Sequence, residues 1–154
     1  MEKGTFGAGC FWGVEAAFRK LKGVLSTSVG YMGGHGPNPC DLDVCARVTG
    51  HAEVVQIEYD STIISYEYLL ETFWKIHDTT SLNRQGDDRG EQYRSVIFYH
   101  SSEQEKLARN SKIKLQNSGQ YDKDIVTEIK AASDYYLAED YHQQYFEKQK
   151  SKRV

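Results

Sequence analysis

Alternating strand-like and helical runs predict an open β-sheet with helices packed on it, of the α/β or α+β class. The chain has 154 residues and a formal net charge of −3. That length fits a single domain over residues 1–154 with a sizeable buried core. The sequence contains no repeat or low-complexity linker, and glycine-rich stretches between the runs predict extensive loops.

The first predicted elements surround a cysteine turn near the N-terminus. Residues 5–8 predict a short strand, and helical spacing of apolar residues begins at Val14 and stops at Gly23. Residues 24–31 are rich in valine, serine and threonine, which predicts a second strand. The stretch 32–50 contains both prolines of the chain and several glycines, so a long loop is expected there.

A strand followed by a helix is predicted for the middle of the chain. Residues 53–59 alternate between polar and apolar types, which puts Val55 and Ile57 on one face of a strand. Residues 66–74 have the spacing of an amphipathic helix, and Ser65 is suited to cap its N-terminus.

The second half of the chain contains shorter elements. We expect a polar loop over residues 78–91, strands over 96–99 and 125–129, and a final helix over 138–148. Ser101 with Gln104, and Ser102 with Glu105, each fit a capping box. Another helix therefore begins at one of these two serines.

The cysteine count and the charge limit the compartment and the partners. Cys10, Cys40 and Cys45 are odd in number and do not make a closed set of disulfides. The N-terminus lacks the apolar segment of a secretory signal, and no apolar run approaches the ~20 residues of a membrane span. We therefore expect a cytoplasmic monomer with reduced thiols. The mild acidity argues against nucleic acid or an anionic membrane as a partner.

The run Gly9-Cys10-Phe11-Trp12-Gly13 is the strongest candidate for chemistry. A thiol reacts as its thiolate, which the unbonded N–H groups and the positive dipole end of a helix stabilise. Because a helical pattern starts just after Cys10, this thiol is a candidate nucleophile. The alternative is a small buried residue without chemistry. The neighbouring aromatic side chains favour a site, since two exposed aromatics at a helix start are costly unless they line a pocket.

A carboxylate and a phenol are further candidates. By strand alternation Glu53 points to the same face as Val55, where a carboxylate is poorly solvated. Desolvation disfavours the charged form, which suits a general acid. The alternative is a carboxylate at a strand end that bends toward water. Tyr93 lies between a charged loop and an apolar strand, where a phenol usually needs a hydrogen-bond partner.

Five motifs follow one another between about residue 5 and residue 145. They are Gly9-Cys10-Phe11-Trp12-Gly13, Gly50-His51-Ala52-Glu53, Gln85-Gly86-Asp87-Asp88, Gln92-Tyr93-Arg94-Ser95 and Glu139-Asp140-Tyr141-His142-Gln143-Gln144-Tyr145. In kind and order the set resembles the type A methionine sulfoxide reductases. The resemblance implies a ferredoxin-like α+β core with a mixed sheet, and reduction of the S epimer of methionine sulfoxide, free or in oxidised proteins that are thereby repaired. It implies no metal or bound cofactor, and electrons from thioredoxin or a similar dithiol.

The resemblance also implies a role for each candidate residue. Cys10 would attack the sulfoxide sulfur, and Glu53 would protonate the departing oxygen. Tyr93 would hydrogen-bond that oxygen, while Asp88 would order this part of the site. The products would be methionine and a sulfenic acid on the cysteine. The S-methyl group of the substrate would be held by the two aromatic residues after the thiol, Phe11 and Trp12.

Two departures from the family concern a second thiol and a tyrosine. Many members resolve the sulfenic acid with cysteines in a C-terminal tail, whereas residues 146–154 contain none. We therefore favour Cys40 over Cys45 as the resolving thiol, with an external thiol as the remaining alternative. Asp41 stands where the family usually has a tyrosine, and a carboxylate donates no hydrogen bond unless it is protonated. Tyr31 or a water would then supply the second donor to the sulfoxide oxygen.

Three other classes of function compete with this interpretation. A metal site could combine His35, Cys40, Cys45 and His51, but their spacing matches no usual zinc pattern. A module that only binds oxidised methionine would need the aromatic residues but not the thiol of Cys10. A peroxide reductase would need that thiol but no apolar pocket for a methyl group.

Overall fold

The computed structural model describes residues 2–34, 50–86, 88–119, 123–145 and 148. The α-helices within these residues are Phe11–Arg19 (α1), Tyr66–Lys75 (α2) and Ser102–Asn117 (α3). The strands are Glu2–Ala8 (β1), Val24–Met32 (β2), Ala52–Tyr59 (β3), Arg84–Gln85 (β4), Asp88–Arg89 (β5), Ser95–Tyr99 (β6), Glu128–Ala131 (β7) and Tyr136–Leu137 (β8). Short 3-10 helices lie at Glu91–Tyr93 and Asp140–His142. None of the described helices has the length and apolarity needed to cross a lipid bilayer.

In the described part of the chain, six strands form one sheet in the order β7-β6-β1-β3-β2-β8. The four central strands are antiparallel to one another and are connected as β1-α1-β2-β3-α2-β6. This order and connectivity are those of the ferredoxin-like core, so the predicted α+β fold is confirmed. β7 joins β6 in parallel and β8 joins β2 antiparallel, which makes the sheet mixed. β4 and β5 form a separate two-stranded ribbon within the predicted polar loop.

The larger core lies between one face of the sheet and helices α1 and α2. The ring of Phe6 lies 5.1 Å from that of Phe18 and 5.5 Å from that of Phe73. Val55 and Ile57 belong to the same core, as their alternation in β3 predicted. Burying one side chain of this size stabilises a fold by roughly 1.5–3 kcal/mol. This packing fixes α1 against the strands beneath it.

The starts of α2 and α3 follow the predicted capping. The Ser65 hydroxyl accepts an N–H of the first turn of α2 at 3.1 Å, and the Ser101 hydroxyl accepts the Gln104 N–H at 3.2 Å. Ser102 is the first residue of α3 rather than its cap, so the alternative capping box is wrong. Gln104 Oε1 accepts the His100 N–H at 2.9 Å, one residue before the cap, so the reciprocal half of the box is displaced.

The helix predicted over residues 138–148 is interrupted. Asp140–His142 forms a single 3-10 turn, the chain leaves helical geometry at Gln143, and helical backbone is found again at Tyr145 and at Lys148, whose N–H donates to the Gln144 carbonyl at 3.0 Å. Gln143 has an extended ψ of 128°, and Gln144 has a left-handed φ of 48°, so the helical hydrogen bonds cannot continue through them. The strand predicted over residues 125–129 is displaced toward the C-terminus and forms β7.

Candidate active site

The turn before α1 places Cys10 at the start of the helix. Gly9 has a left-handed φ of 98°, and a Cβ atom there would lie 2.9 Å from Cγ of Gln85. Both observations require glycine at this position. Cys10 follows as the N-cap residue of α1 with φ −59° and ψ 122°, and it is half-buried. The prediction that this thiol lies at a helix N-terminus is confirmed.

Helix α1 begins without a local cap. The side chain of Cys10 makes no capping hydrogen bond to α1, and the first turn contains no acidic residue. The first N–H groups of a helix have no partner within the helix and carry a partial positive charge. A negatively charged group beside Cys10 is therefore stabilised by the helix end.

Glu53 reaches this helix start from β3. The side chain is buried, with 3% exposure, and its Oε1 accepts a hydrogen bond from the Phe11 N–H at 3.3 Å. In the sheet Glu53 is directly opposite Tyr31 of β2. It shares the helix-covered face with Val55, as strand alternation predicted. The fold thus brings a buried carboxyl group to the backbone next to the thiol.

The two aromatic residues after the thiol have different environments. Phe11 is buried, and its ring centre lies 5.0 Å from that of His142. Trp12 is half-exposed and stacks on Tyr145, with 3.9 Å between ring centres and 9° between planes. The Trp12 Nε1–H donates to Nδ1 of His142 at 2.9 Å. An apolar wall beside Cys10 therefore consists of an accessible indole and a buried phenyl ring.

Two further predicted residues lie on the polar side of this region. Tyr93 is half-buried at the end of the 3-10 helix that precedes β6, and this helix packs beside the strand that carries Glu53. The backbone of Asp88 pairs with Gln85 in the β4–β5 ribbon, and its side chain lies outside what the structure describes. Because Gln85 contacts the position of Gly9, the ribbon borders the turn that carries the thiol.

Arg94 and His51 anchor both ends of segment 35–49. Arg94 is buried; its Nη1 donates to the Gly50 carbonyl at 3.0 Å, and its Nε pairs with a carboxylate of β7 at 3.0 Å. His51 is also buried, and its Nδ1 accepts the Gly34 N–H at 3.1 Å. The sequence analysis gave Arg94 no role and considered His51 only as a metal ligand. In the structure these two side chains hold the backbone of Gly34 and Gly50.

Comparison with known proteins gives the family. The family model described as peptide methionine sulfoxide reductase matches residues 2–154. The chain belongs to the peptide methionine sulfoxide reductase family. Peptide methionine sulfoxide reductase MsrA 1 of Nostoc sp. is 72% identical to it over 149 residues, which cover 97% of this chain and 91% of the relative.

Solved structures agree with this membership. Mxr1 from Saccharomyces cerevisiae in its reduced form matches with a TM-score of 0.90 and 35% identity, covering 97% of this chain and 86% of the yeast chain. Mxr1 in complex with Trx2 matches with a TM-score of 0.66 and 26% identity, covering 94% of this chain and 84% of the yeast chain. As a peptide methionine sulfoxide reductase, this protein is an oxidoreductase that reduces methionine sulfoxide through thiol chemistry, as its motifs implied.

Part of the predicted site of this peptide methionine sulfoxide reductase lies outside the described residues. Cys40, Cys45 and Asp41 all fall in segment 35–49, so the choice of resolving thiol stays a prediction. Tyr31, the candidate for a second donor to the sulfoxide oxygen, is fully buried. Its hydroxyl donates to Oε2 of Glu139 at 3.4 Å, so a protein carboxylate already occupies this donor.

The sequence analysis missed the residues that hold the C-terminal side of the site. Glu15, one turn beyond Trp12 in α1, is 1% exposed and accepts both the backbone N–H of Gln144, at 2.8 Å, and its side-chain amide, at 3.0 Å. The Gln143 amide bonds the N–H and the carbonyl of Val29, each at 2.9 Å. The signal in the sequence was the pair of adjacent glutamines, which was noticed only as part of the family resemblance.

The described residues show no group of three His, Cys, Asp or Glu side chains arranged to hold a metal ion. Of the four candidate ligands, His35, Cys40 and Cys45 lie outside the described part of the chain. The fourth, His51, uses Nδ1 to hold the Gly34 N–H, and its ring meets the Tyr136 ring edge-on at 5.5 Å. These contacts account for His51 without a metal.

Proposed function

We propose that Cys10 attacks the sulfur of methionine sulfoxide and that Glu53 delivers the proton to its oxygen. The observation that carries this assignment is the hydrogen bond from the Phe11 N–H to Oε1 of Glu53. It puts a buried carboxyl group at the first turn of the helix that begins at the thiol. A single domain over residues 1–154 carries the whole reaction.

The chemistry needs both groups. The oxygen of a sulfoxide leaves poorly until it is protonated, so the proton from Glu53 makes the attack productive. The thiolate of Cys10 gives two electrons to the substrate sulfur, whose bond to oxygen breaks. The oxygen, now a hydroxyl, ends on the cysteine as a sulfenic acid, and methionine is released. Glu53 is 3% exposed, so its carboxyl group is shielded from bulk water.

The methyl group and the oxygen of the substrate need opposite surroundings. We assign the S-methyl group to the apolar wall of Phe11 and Trp12, because the indole is accessible and its N–H is already bonded to His142, so the ring offers apolar contact. The oxygen then faces the side that carries Glu53 and Tyr93. The Tyr93 hydroxyl donates a hydrogen bond to this oxygen, and Asp88 orders the same side.

Recycling requires a second thiol, which condenses with the sulfenic acid to give a disulfide and water. We propose Cys40 for this step, with Cys45 as the alternative. The anchoring of segment 35–49 supports the proposal, because Gly34 and Gly50 are held at β3 and β6. These strands flank β1, whose end leads directly to the turn that carries the catalytic thiol. A thioredoxin-like dithiol then opens the disulfide, and the complex of the similar protein Mxr1 with Trx2 supports such a reductant.

A single turnover without reductant tests the catalytic assignment. One equivalent of the S epimer of methionine sulfoxide should yield about one methionine per enzyme, and peptide mass mapping should find Cys10 oxidised or in a disulfide. The Cys10→Ser variant should release none. Substantial methionine from that variant would overturn the proposal.

Cys40→Ser and Cys45→Ser are a matched pair for the recycling step. If Cys40 resolves, Cys40→Ser should release about one methionine and then stall with thioredoxin, while Cys45→Ser should turn over like the wild type. The opposite pattern assigns the step to Cys45. Normal turnover in both variants assigns it to an external thiol.

A further inference from the structure

Residues 139–145, here named the C-terminal strap, lie along one side of the half-exposed Trp12. Two glutamines anchor the strap to the sheet and to α1, through the backbone of Val29 and the buried carboxylate of Glu15. Each anchor consists of two hydrogen bonds of 2.8–3.0 Å. The strap therefore presents His142 and Tyr145 to Trp12 from a fixed position.

His142 is the strap residue that bonds the indole. It is 2% exposed, and its Nδ1 lies 2.9 Å from the Nε1 of Trp12. An indole N–H can only donate, so Nδ1 of His142 must accept and carries no proton. The proton of the neutral ring is then on Nε2, which lies 3.4 Å from Oε2 of Glu139. At this distance, and outside hydrogen-bond geometry, the carboxyl group of Glu139 is compatible with a proton on Nε2, the tautomer that binds Trp12.

Two contacts together fix the orientation of the indole. The bond to His142 restrains rotation of the ring within its own plane. The stacked ring of Tyr145, 3.9 Å away and 9° from parallel, restrains the tilt of that plane. Trp12 is half-exposed and would otherwise sample several rotamers. Holding it in one of them before substrate binds lowers the entropic cost of binding.

We propose that His142 is a positioning residue, which sets the orientation of the Trp12 ring for the S-methyl group of the substrate. The inference rests on the proposed role of Trp12 as part of the methyl-binding wall. Because the indole contacts the methyl group and not the reacting bond, its misorientation weakens binding of substrate more than it slows chemistry.

A double-mutant cycle measures this coupling. Trp12→Phe keeps an aromatic ring but removes the indole donor, and His142→Leu removes the acceptor. His142→Leu in the wild-type background should raise KM for methionine sulfoxide roughly 3- to 10-fold, the size expected for one hydrogen bond, with kcat changed less than about 2-fold. In the Trp12→Phe background the same substitution should change KM less than about 2-fold.

The conservative variant His142→Asn provides the rescue. Its side-chain oxygen lies near the place of Nδ1 and can accept the indole N–H, so KM should return to within about 2-fold of the wild-type value. A KM in His142→Asn as high as in His142→Leu would contradict the proposal, since only the leucine variant lacks an acceptor.

The indole N–H resonances give a readout that does not depend on activity. The two tryptophans each contribute one cross-peak, and the Trp74 indole donates to the Ser111 hydroxyl at 2.7 Å in a different part of the molecule. His142→Leu should move the Trp12 resonance upfield and leave that of Trp74 in place. The unmoved Trp74 peak shows that the variant is folded.

The outcomes separate this inference from the proposed function. An equal rise in KM from His142→Leu in both backgrounds would overturn the positioning role, because packing of His142 on Phe11 alone would then explain it. An unmoved Trp12 resonance in His142→Leu would overturn it as well. If Trp12→Phe alone leaves KM unchanged while the Trp12 resonance still moves in His142→Leu, the methyl-binding role of Trp12 is the part that fails.

Discussion

The start of α1 differs from the starts of α2 and α3. The latter begin at Ser65 and Ser101, whose hydroxyls accept N–H groups of their own first turns, and both first turns contain acidic residues. At Cys10 the side chain makes no capping hydrogen bond, and the first turn of α1 contains no acidic residue. The Phe11 N–H is instead bonded by Glu53, which arrives from a distant strand.

This contrast shows where the molecule departs from local stability rules. An N-capping serine typically stabilises a helix by about 1 kcal/mol relative to alanine. Helix α1 lacks this contribution, and packing on the sheet with a carboxyl group supplied from β3 replaces it. In the proposed mechanism, the N–H groups that a cap would satisfy stabilise the thiolate of Cys10. Departures of this kind are expected at functional sites, where local preference gives way to chemistry.

The largest expected effect comes from making α1 resemble the other two helices. Cys10→Ser installs the residue type that caps α2 and α3, so helix stability should be retained while the nucleophile is lost. Turnover should fall to background, and the melting temperature should be at least that of the wild type. Circular dichroism melts and a methionine-release assay measure both. A clear drop in melting temperature would show that the thiol stabilises the start of α1, which would contradict the conclusion that this helix lacks a stabilising cap.

The second largest effect is expected from the distant carboxyl group. Glu53→Gln keeps an oxygen that can accept the Phe11 N–H but removes the acidic proton, so kcat should fall about 10²–10⁴-fold with KM little changed. Glu58→Gln is the matched control, because Glu58 lies in the same strand on the opposite face of the sheet. It should leave kcat within about 2-fold of the wild type. A Glu53→Gln variant of normal kcat would remove Glu53 from the chemistry.

Just after α2, the side chain of His77 contacts one partner in the helix and one in a distant strand. Nδ1 of His77 lies 2.8 Å from the Phe73 carbonyl, and its Nε2 lies 2.7 Å from the Ser95 hydroxyl. Burial lowers the pKa of His77 to about 4, so the ring is neutral at pH 7, where Nδ1–H donates to the carbonyl and Nε2 accepts from the serine. In the unfolded chain the pKa of this histidine is near 6.5.

The sign of the pH effect follows from these two pKa values. Between pH 6.5 and pH 4, His77 is protonated in the unfolded chain but neutral in the folded protein. The free energy of unfolding therefore decreases as the pH falls through this range. The loss attributable to His77 between pH 7 and pH 5 should be about 2 kcal/mol. Urea unfolding of the wild type and of His77→Asn at both pH values measures it. The variant should be less stable at pH 7 but should lack this extra loss; equal pH dependence in both proteins would contradict the assignment.

The smallest effect distinguishes two neighbouring serines at the start of α3. Ser101→Ala removes the hydroxyl that accepts the Gln104 N–H and should lower the free energy of unfolding by about 1 kcal/mol. Ser102→Ala changes an exposed residue inside the first turn and should stay within about 0.5 kcal/mol. Activity should be unchanged in both. Chemical denaturation measures the free energy of unfolding of both variants. Equal losses would mean that the Ser101 cap does not stabilise the start of α3.

The sequence predicted most of the core and part of the site because those features depend on local patterns. Strand alternation placed Glu53 on the helix-covered face, and helical spacing placed Cys10 at a helix start. The prediction of one continuous C-terminal helix was wrong at Gln143 and Gln144, because Gln144 takes a left-handed conformation that Glu15 stabilises. That conformation depends on a partner 129 residues away, which no local pattern reports.

Distance in sequence also hid the anchors of segment 35–49. Arg94 lies 44 residues from the carbonyl of Gly50 that it bonds, and no local pattern in the sequence links the two. Buried arginines are rare unless they are paired, so burial is the property that would have identified it, and burial is known only from the fold. The family resemblance includes the motif that contains Arg94, but it does not indicate what this side chain contacts.

The Gln143 side chain has a consequence for the outer side of β2. Strand β8 pairs with β2 at Gly30 and Tyr31, and just before them the backbone of Val29 is bonded by the Gln143 amide. A side-chain amide offers the same donor and acceptor as a peptide group, so an extended segment of another molecule finds these positions taken. Enzymes that repair oxidised proteins meet partly unfolded chains, which add readily to open sheet edges. At Val29 this glutamine occupies the backbone groups through which such a chain would pair with β2.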